Sequence, residues 1–232
     1  MEKLASNWIL ENCRFAARKP KGTLVVFEGP DGSGKSSCLD MTVAWLEKHS
    51  FPVTHTKWNS SDLVKDAIDA GKDRRELSPL MFCLLHATDM VWRMENVILP
   101  ALERNHVVVC DRYIYTSYVR DGLRGVDSKI LDLVYDGFRE PDILFHCSCP
   151  TEIAFARLLE DKGFTFYGSG MDIGLSSNRN ESCMLYEKKM AKEYGDLLPK
   201  QKNYIKLDTS RSKKETLAAI KDEMNARFGI DD

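Results

Sequence analysis

Residues 29–36 read Gly29-Pro30-Asp31-Gly32-Ser33-Gly34-Lys35-Ser36, in which two glycines are separated by four residues and followed by Lys and Ser. The stretch follows the apolar run Leu24–Phe27 and precedes a helical pattern from Cys38 to Lys48. A strand that leads through such a loop into a helix directs backbone N–H groups and the positive end of the helix dipole to one position. Polyphosphate fits that position, so the stretch predicts a phosphate-binding loop for ATP or GTP.

The residues of this loop have separate expected roles. Glycine lets the main chain approach a phosphate closely. Lys35 is expected to neutralise the β- and γ-phosphates, and the Ser36 hydroxyl to ligate Mg²⁺. The alternative, a Gly-rich turn that binds nothing, is disfavoured by the strand and helix patterns on either side. The candidate residues for binding the phosphate donor are Gly29, Asp31, Gly32, Ser33, Gly34, Lys35, Ser36 and Ser37.

Composition limits the possible functions. The chain has 232 residues, of which 43% are hydrophobic and 29% charged, with a formal net charge of −2. These values are typical of one α/β domain with a substantial core. The charge argues against a nucleic-acid polymer as partner, and no apolar run is long enough to span a membrane. Seven irregularly spaced cysteines favour reduced thiols in the cytoplasm over a disulfide framework.

Strand and helix patterns alternate along the chain. Short apolar strands separated by helices predict a parallel five-stranded sheet with helices on both faces, the α/β fold of P-loop NTPases. In such sheets ligands bind at the carboxyl ends of the strands, which places Glu28, the loop, Lys57, Asp111 and Arg112 at one edge. The predicted strands are Thr23–Glu28, Val53–Lys57, Val107–Cys110, Ile143–Ser148 and Tyr204–Leu207.

Two further segments complete the predicted organisation. Residues 1–21 carry apolar residues at helical spacing and are interpreted as a helical extension that precedes a P-loop domain at 22–232. Residues 162–180 are rich in Gly and Ser. Long polar loops in compact domains are often lids, and phosphoryl transfer requires that water be excluded from the γ-phosphate. We therefore predict a lid at about 162–180.

The run Val107-Val108-Val109-Cys110-Asp111-Arg112-Tyr113 is an apolar strand that ends on an acid and a base. A carboxylate at that strand end can hold Mg²⁺ opposite the phosphate loop. The adjacent guanidinium can bind a phosphate through paired donors. A surface salt bridge is the alternative interpretation, and the preceding phosphate loop disfavours it. Asp111 is therefore a candidate metal ligand, and Asp111 and Arg112 are candidate catalytic residues.

With these motifs the chain resembles the thymidylate kinases, which transfer the γ-phosphate of ATP to dTMP. The resemblance runs from about residue 23 to 198. It rests on the phosphate loop with Phe27 and Glu28, the helix end Val97-Ile98-Leu99-Pro100-Ala101-Leu102, Asp111-Arg112-Tyr113 followed by Ser117, Pro141-Asp142-Ile143, Arg157, and Arg179-x-Glu181-Ser182 leading to Tyr194. The resemblance implies ATP and Mg²⁺ as cofactors, nucleotides as substrates and a homodimer.

The resemblance also implies roles for single residues. Asp31 is expected to accept a hydrogen bond from the sugar 3′-hydroxyl of the acceptor. These kinases carry a catalytic Arg either in the phosphate loop or in the lid. This loop has none, so we expect the lid to supply the cation that stabilises transition-state charge. Arg179 matches that position best, and Arg157 is the second candidate.

The acceptor pocket departs from the family pattern at three places. Met90 stands where the family usually has an Arg that reaches the thymine edge. Arg120 and Asp121 stand where an aromatic and a polar residue usually contact the sugar and base. Lys57 is the closest cation to the position of the Arg that binds the acceptor phosphate. The candidate acceptor-binding residues are therefore Glu28, Asp31, Lys57, Met90, Arg112, Arg120 and Asp121.

The preferred interpretation is a nucleoside monophosphate kinase that converts dTMP to dTDP. One alternative is a kinase for a modified or different nucleoside monophosphate, or for a nucleoside. A nucleoside would need a general base, for which Glu28 is the candidate. A regulatory nucleotide-binding protein is the other alternative, although Lys35, Ser36, Asp111 and Arg112 are all present and favour turnover.

Overall fold

The structure is a computed structural model that describes Phe15, residues 20–161 and residues 163–230. All five predicted strands are confirmed, and β3 and β5 each extend one residue further than expected, to Asp111 and Asp208. The strands are β1 (Thr23–Glu28), β2 (Val53–Lys57), β3 (Val107–Asp111), β4 (Ile143–Ser148) and β5 (Tyr204–Asp208).

The sheet is parallel throughout, with the strand order β2-β3-β1-β4-β5. β1 is central and pairs with β3 on one side and β4 on the other. Phe27 of β1 lies opposite Asp111 of β3, so the loops that follow these two strands leave the sheet side by side. The chain order changes direction at β1, and ligands bind at such a point in open α/β sheets.

Helices cover both faces of the sheet. The longer ones are α1 (Lys35–Lys48), α2 (Lys65–Arg74), α3 (Pro79–Arg93), α5 (Ile114–Leu123), α7 (Thr151–Glu160), α8 (Arg179–Leu197) and α9 (Lys213–Phe228), and the shorter ones are α4 (Leu99–Glu103) and α6 (Ser128–Tyr135). Successive residues of β1 point to opposite faces. Leu24 and Val26 belong to one buried cluster, and Val25 and Phe27 belong to the other. The predicted fold class is therefore confirmed.

A π-helical turn, Met94–Ile98, joins α3 to α4. Such a turn holds one more residue than an α-helical turn, so the helix presents different faces before and after it. Pro100 lies in the first turn of α4, where its missing N–H is tolerated. This irregularity begins directly after Arg93, the last residue of α3.

The segment at 163–180 packs against the body of the protein. Tyr167 and Ser169 are buried, and the Arg124 side chain donates to the Tyr167 carbonyl at 3.0 Å and to Asp172 Oδ2 at 2.7 Å. A short 3₁₀ turn lies at Met171–Ile173. The proposed lid role of this segment stays a prediction.

Most of the predicted helical extension at 1–21 lies outside the described residues. Phe15 is described, and its ring packs edge-on against Phe138 with centroids 5.0 Å apart. Within the described residues, none of the helices combines the length and the apolar character needed to cross a lipid bilayer.

Candidate active site

The phosphate loop leads from β1 into α1 in the predicted way. Gly34 takes a left-handed backbone conformation (φ 82°) at the N-terminus of α1. Lys35, the first residue of the helix, is buried, and its Nζ donates to the Pro30 carbonyl at 2.5 Å. Burial lowers the pKa of Lys35, and the nearby Arg112 lowers it further. The ammonium group therefore lies across the loop and close to a second cation.

Residues far along the chain support this loop. Gly32 has φ +71°, and a Cβ there would lie 2.2 Å from the carbonyl oxygen of Ala154 on α7. Thr209, just after β5, donates from its hydroxyl to the Ser33 carbonyl at 2.7 Å. Arg157 of α7 donates to the Thr209 carbonyl at 2.8 Å and to the Gly32 carbonyl at 3.4 Å. The loop is thus fixed by α7 and the end of β5.

The end of β3 lies beside the loop. Arg112 has a left-handed backbone (φ 68°), and its Nη1 donates to the Gly29 carbonyl at 3.2 Å, to Thr116 Oγ1 at 3.3 Å and to Tyr194 Oη at 3.1 Å. A left-handed conformation is uncommon for a residue other than glycine and is often found at functional sites. These contacts hold the guanidinium next to the first glycine of the loop.

The loop and the β3 end share one cavity of about 420 Å³. Its lining includes most of the donor-binding and metal-ligating candidates. The lining residues are Asp31, Gly32, Gly34, Lys35, Ser36, Ser37, Asp111, Arg112, Arg157, Leu158 and Asp161. The structure therefore brings together residues that are more than 70 positions apart in sequence.

The same cavity fits a divalent cation. Asp111 Oδ1 is buried and has no hydrogen-bond partner within the described part of the chain. The exposed Ser36 hydroxyl lines the cavity with it. Carboxylate and hydroxyl oxygens are ligands that Mg²⁺ accepts, and a buried oxygen without a partner is costly unless a ligand satisfies it. Ser36 and Asp111 are thus suited to hold Mg²⁺.

Glu28, at the end of β1, makes internal contacts. Its carboxylate is fully buried and accepts hydrogen bonds from Tyr113 N at 2.8 Å, Thr116 N at 3.1 Å and Thr116 Oγ1 at 2.7 Å. Burial raises the pKa of Glu28, and Arg112 opposes that shift. Because both carboxylate oxygens bind the first turn of α5, Glu28 acts as a support for the Asp111–Tyr113 segment.

Asp31 joins two arginines. One carboxylate oxygen pairs with Arg112 Nη2, and the other pairs with Arg120 Nη2. Although burial opposes ionisation, Arg120 and Arg112 hold the pKa of Asp31 well below its usual range. An acid within a phosphate-binding loop is stable here because its charge is compensated on both sides.

The other candidate acceptor residues lie in different environments. Met90 is fully buried, so its side chain presents no surface to a bound nucleotide. Asp121 is also fully buried, and its carboxylate pairs with Nδ1 of the buried His86 at 3.2 Å. Both side chains are thus enclosed by protein in this structure, and their contact with the acceptor stays a prediction. Lys57 is exposed at the end of β2.

Arg93 was not identified from the sequence. It is fully buried, and its Nε donates to Thr56 Oγ1 at 3.0 Å while Nη2 donates to the Arg112 carbonyl at 3.3 Å. Its Nη1 lies 3.8 Å from the Asp89 carboxylate. The available signal was a charged residue within an apolar stripe, one helical turn beyond Met90. Arg93 therefore supports the Arg112 backbone through the hydrogen bond to its carbonyl oxygen.

The two candidate catalytic arginines occupy different cavities. Arg157 is half-buried and lines the cavity of the phosphate loop. Arg179 is exposed at the start of α8 and lines a separate cavity of about 580 Å³, together with Asp69, Lys72, Asp73, Arg75, Thr165, Phe166 and Tyr167. Of these two arginines, Arg157, the second candidate from the sequence, is the one that lies beside the phosphate loop in this structure.

A phosphate loop after the central strand, an Asp-Arg pair at the neighbouring strand end and a second cationic pocket define a phosphotransferase of the P-loop kinase class. The family model for thymidylate kinase matches residues 27–220. The chain belongs to the thymidylate kinase family, as its sequence motifs indicated.

Curated relatives agree with this assignment. The chain is 35% identical over 202 residues to "Probable thymidylate kinase 2" of Saccharolobus solfataricus, which covers 87% of this chain and 94% of that protein. It is 35% identical over 147 residues to the thymidylate kinase of Caldicellulosiruptor saccharolyticus, which covers 60% of this chain and 70% of that protein. It is also 32% identical over 151 residues to the thymidylate kinase of Brachyspira hyodysenteriae, and this match covers 62% of this chain and 71% of that protein.

Proposed function

We propose that this protein transfers the γ-phosphoryl group of ATP to dTMP, which yields dTDP and ADP, with Mg²⁺ as the metal. The observation that carries the proposal is the shared cavity of Lys35, Asp111 and Arg112 in a chain of this family. Relatives that bear the name thymidylate kinase, one of which matches most of the chain, support dTMP as the acceptor.

The reaction is an in-line displacement. A phosphate oxygen of the acceptor attacks the γ-phosphorus, and the bond to the β–γ bridging oxygen breaks, which leaves ADP. The acceptor phosphate is already an anion, so no general base is needed. This agrees with Glu28, whose oxygens are all engaged by Tyr113 and Thr116. A nucleoside acceptor, which would need a base, is correspondingly less well supported.

Each candidate residue has a physical task in this reaction. The loop amides and Lys35 hold the β- and γ-phosphates of the donor. Mg²⁺ on Ser36 and Asp111 would offset charge on those phosphates. Arg157 lies where it can stabilise charge on the transferring group. Arg179 would do so only after the lid segment moves toward the loop.

A second acceptor class has one observation in its favour. Met90 is apolar and fully buried, so it offers no hydrogen-bond donor to a pyrimidine carbonyl. A modified or different nucleoside monophosphate is therefore the second candidate acceptor for the same phosphoryl transfer.

We also propose that the protein forms a homodimer. Leu80, Met81 and Leu84 of α3 are each about half exposed, at 48%, 48% and 50%. Their spacing puts them on one side of a helix whose other side is buried. A contiguous exposed apolar surface is typical of an interaction site. A second copy would cover it.

A reducing cytoplasmic location is a further part of this proposal. The described cysteines are unpaired, and most of them are buried. Structural disulfides are typical of oxidising compartments, and reduced buried thiols are typical of the cytoplasm.

The decisive experiment measures ADP release with MgATP against a panel of nucleoside monophosphates and nucleosides. We expect turnover with dTMP above the other acceptors. Lys35→Met should lower kcat by about 100-fold or more, since one preorganised donor to the transferring group is lost. Lys48→Met is the matched control, because Lys48 is exposed at the other end of the same helix. Turnover with nucleosides alone, or a fully active Lys35→Met variant, contradicts the proposal.

A further inference from the structure

Arg112 and Arg120 converge on the single carboxylate of Asp31. We propose that these two arginines together form the binding site for the acceptor phosphate, and that Asp31 is an internal counter-ion that the phosphate displaces. This inference rests on the proposed function and identifies the second phosphate-binding cation, a role that sequence reasoning gave to Lys57.

Both arginines lie on the side of α5 that carries Thr116. Thr116 and Arg120 are four residues apart on the helix and share one face, and Arg112, which precedes the helix, joins this stripe through its hydrogen bond to Thr116 Oγ1 at 3.3 Å. This stripe faces α8: Thr116 Oγ1 lies 3.1 Å from Tyr194 Oη, and Arg124, the next residue of the stripe, donates to Tyr186 Oη at 2.8 Å. The packing of α5 on α8 thus fixes the direction in which Arg120 extends.

The two guanidinium groups are held to different degrees. Arg112 Nη1 is committed to Gly29, Thr116 and Tyr194, which leaves Nη2 for Asp31. Arg120 pairs with Asp31 through Nη2, and its Nε is buried without a hydrogen-bond partner among the described residues. A buried donor without a partner is costly unless a ligand accepts from it. Arg120 therefore has both an unused donor and fewer fixed contacts.

The charges in this cluster favour a bound anion. Lys35, Arg112 and Arg120 are three cations around Asp31. Glu187 is a further acid near this cluster, and burial raises its pKa well above the usual value. Arg112 and Arg120 share the single carboxylate of Asp31, and a phosphate dianion that accepts from both would bring more negative charge than that one carboxylate supplies. Lys57, by contrast, is exposed at the end of β2.

Binding of the phosphate changes the hydrogen-bond partners of Asp31 and thereby makes this carboxylate available to the acceptor sugar. When phosphate oxygens accept from Arg112 Nη2 and from Arg120, the Asp31 carboxylate loses both ion pairs. Its oxygens become free to accept a hydrogen bond from a sugar hydroxyl of the same nucleotide. Binding of the phosphate and recognition of the sugar are thereby linked through one carboxylate.

Calorimetry of the full chain with dTMP and with thymidine tests the proposal, because the two ligands differ only in the phosphate. For Arg120→Gln we expect the preference for dTMP over thymidine to fall by about 10- to 100-fold, the range for one charge-assisted hydrogen bond. Arg120→Lys keeps the positive charge but lacks the paired donors of a guanidinium, so the preference for dTMP should fall less than it does in Arg120→Gln. Arg104→Gln, at an exposed position just after α4, should leave the preference unchanged.

Two further variants separate phosphate binding from a structural role. If Arg120 only neutralises Asp31, the double variant Asp31→Asn with Arg120→Gln regains the preference for dTMP. If Arg120 binds phosphate, the preference of the double variant for dTMP over thymidine stays as low as that of Arg120→Gln. An unchanged preference in Arg120→Gln combined with a loss in Lys57→Gln overturns the proposal.

The outcome stays separate from that of the proposed function. Should the acceptor panel select another nucleoside monophosphate, the same variants are compared on that nucleotide and its nucleoside. The preference of the protein for that nucleotide over its nucleoside then tests the role of Arg120, regardless of which base the nucleotide carries.

Discussion

Glu28 and Thr116 join the end of β1 to the first turn of α5, with the Thr116 hydroxyl 2.7 Å from Glu28 Oε2. Thr116 N and Tyr113 N donate to the other oxygen of the same carboxylate. The strand that leads into the phosphate loop is thereby coupled to the segment that carries Asp111 and Arg112. The relative position of the two halves of the site depends on this buried carboxylate.

Glu28→Gln should destabilise the protein without abolishing turnover. Glutamine keeps one acceptor oxygen but replaces the other with an NH₂ group. The buried Thr116 hydroxyl, which donates to Glu28 Oε2, then faces a second donor in place of an acceptor. We expect a loss of about 1–3 kcal/mol in the free energy of unfolding, measured by urea denaturation. Thr116→Val removes the hydrogen bond from the Thr116 hydroxyl to Glu28 and should show part of the same loss in unfolding free energy. Complete loss of turnover in a folded Glu28→Gln protein would instead indicate a general base.

Gly32→Ala should disrupt the phosphate loop. The new Cβ would lie 2.2 Å from the Ala154 carbonyl, so α7 must move. Overpacking of this kind costs about 1–3 kcal/mol, in addition to the strain of a left-handed backbone. Gly174→Ala is the matched control, because Gly174 has φ +67° and no atom within 4 Å of the added Cβ. Thermal unfolding and ATP affinity of the two variants should differ, and equal effects would show that backbone strain alone matters.

Arg157→Ala should reduce kcat/KM for ATP more than Arg179→Ala does. Arg157 lines the loop cavity and donates to Gly32 and Thr209, whereas Arg179 is exposed in a different cavity. Loss of one charge-assisted hydrogen bond corresponds to about 10- to 100-fold. Steady-state kinetics with varied ATP measures both effects. The opposite order would indicate that the lid closes and brings Arg179 over the donor, as the sequence predicted.

His146 should make the protein less stable in mild acid. Burial lowers the pKa of this side chain from 6.5 to about 4, and the charge of Lys206 adds to the shift. In that range the unfolded chain binds a proton that the folded protein does not. The contribution of His146 is therefore complete above pH 6.5 and is lost as the pH falls toward 4, at about 1.4 kcal/mol per pH unit.

Urea unfolding of the wild type and of His146→Gln at several pH values checks this expectation. Glutamine does not titrate, so the difference in unfolding free energy between the two proteins should change between pH 6.5 and 4. Parallel curves over that range would contradict the role assigned to His146.

Sequence patterns predicted the sheet and the position of the phosphate loop well because these features are local. The strands β1 and β3 are continuous apolar runs, and the loop from Gly29 to Ser36 follows β1 directly. Parallel pairing then brings Asp111 to the loop without further information. The strand ends were correct to within one residue.

The acceptor side was less predictable because it depends on contacts across many residues. The pairing of Asp31 with Arg120 spans 89 positions, and no local pattern encodes it. Counting back from Pro100 to Met90 crosses the π-helical turn Met94–Ile98, which alters the faces that the helix presents. Arg93, which sequence reasoning did not single out, lies on this helix and donates to the Arg112 carbonyl.

The hydrogen bond from Thr209 to the Ser33 carbonyl spans 176 positions of the chain. During synthesis, residues 29–36 leave the ribosome long before Thr209 is added. A domain of this kind folds as a unit, and the nascent chain lacks the contact that fixes this loop until Thr209 has been added. The geometry of the phosphate loop therefore depends on a segment that is made long after the loop itself.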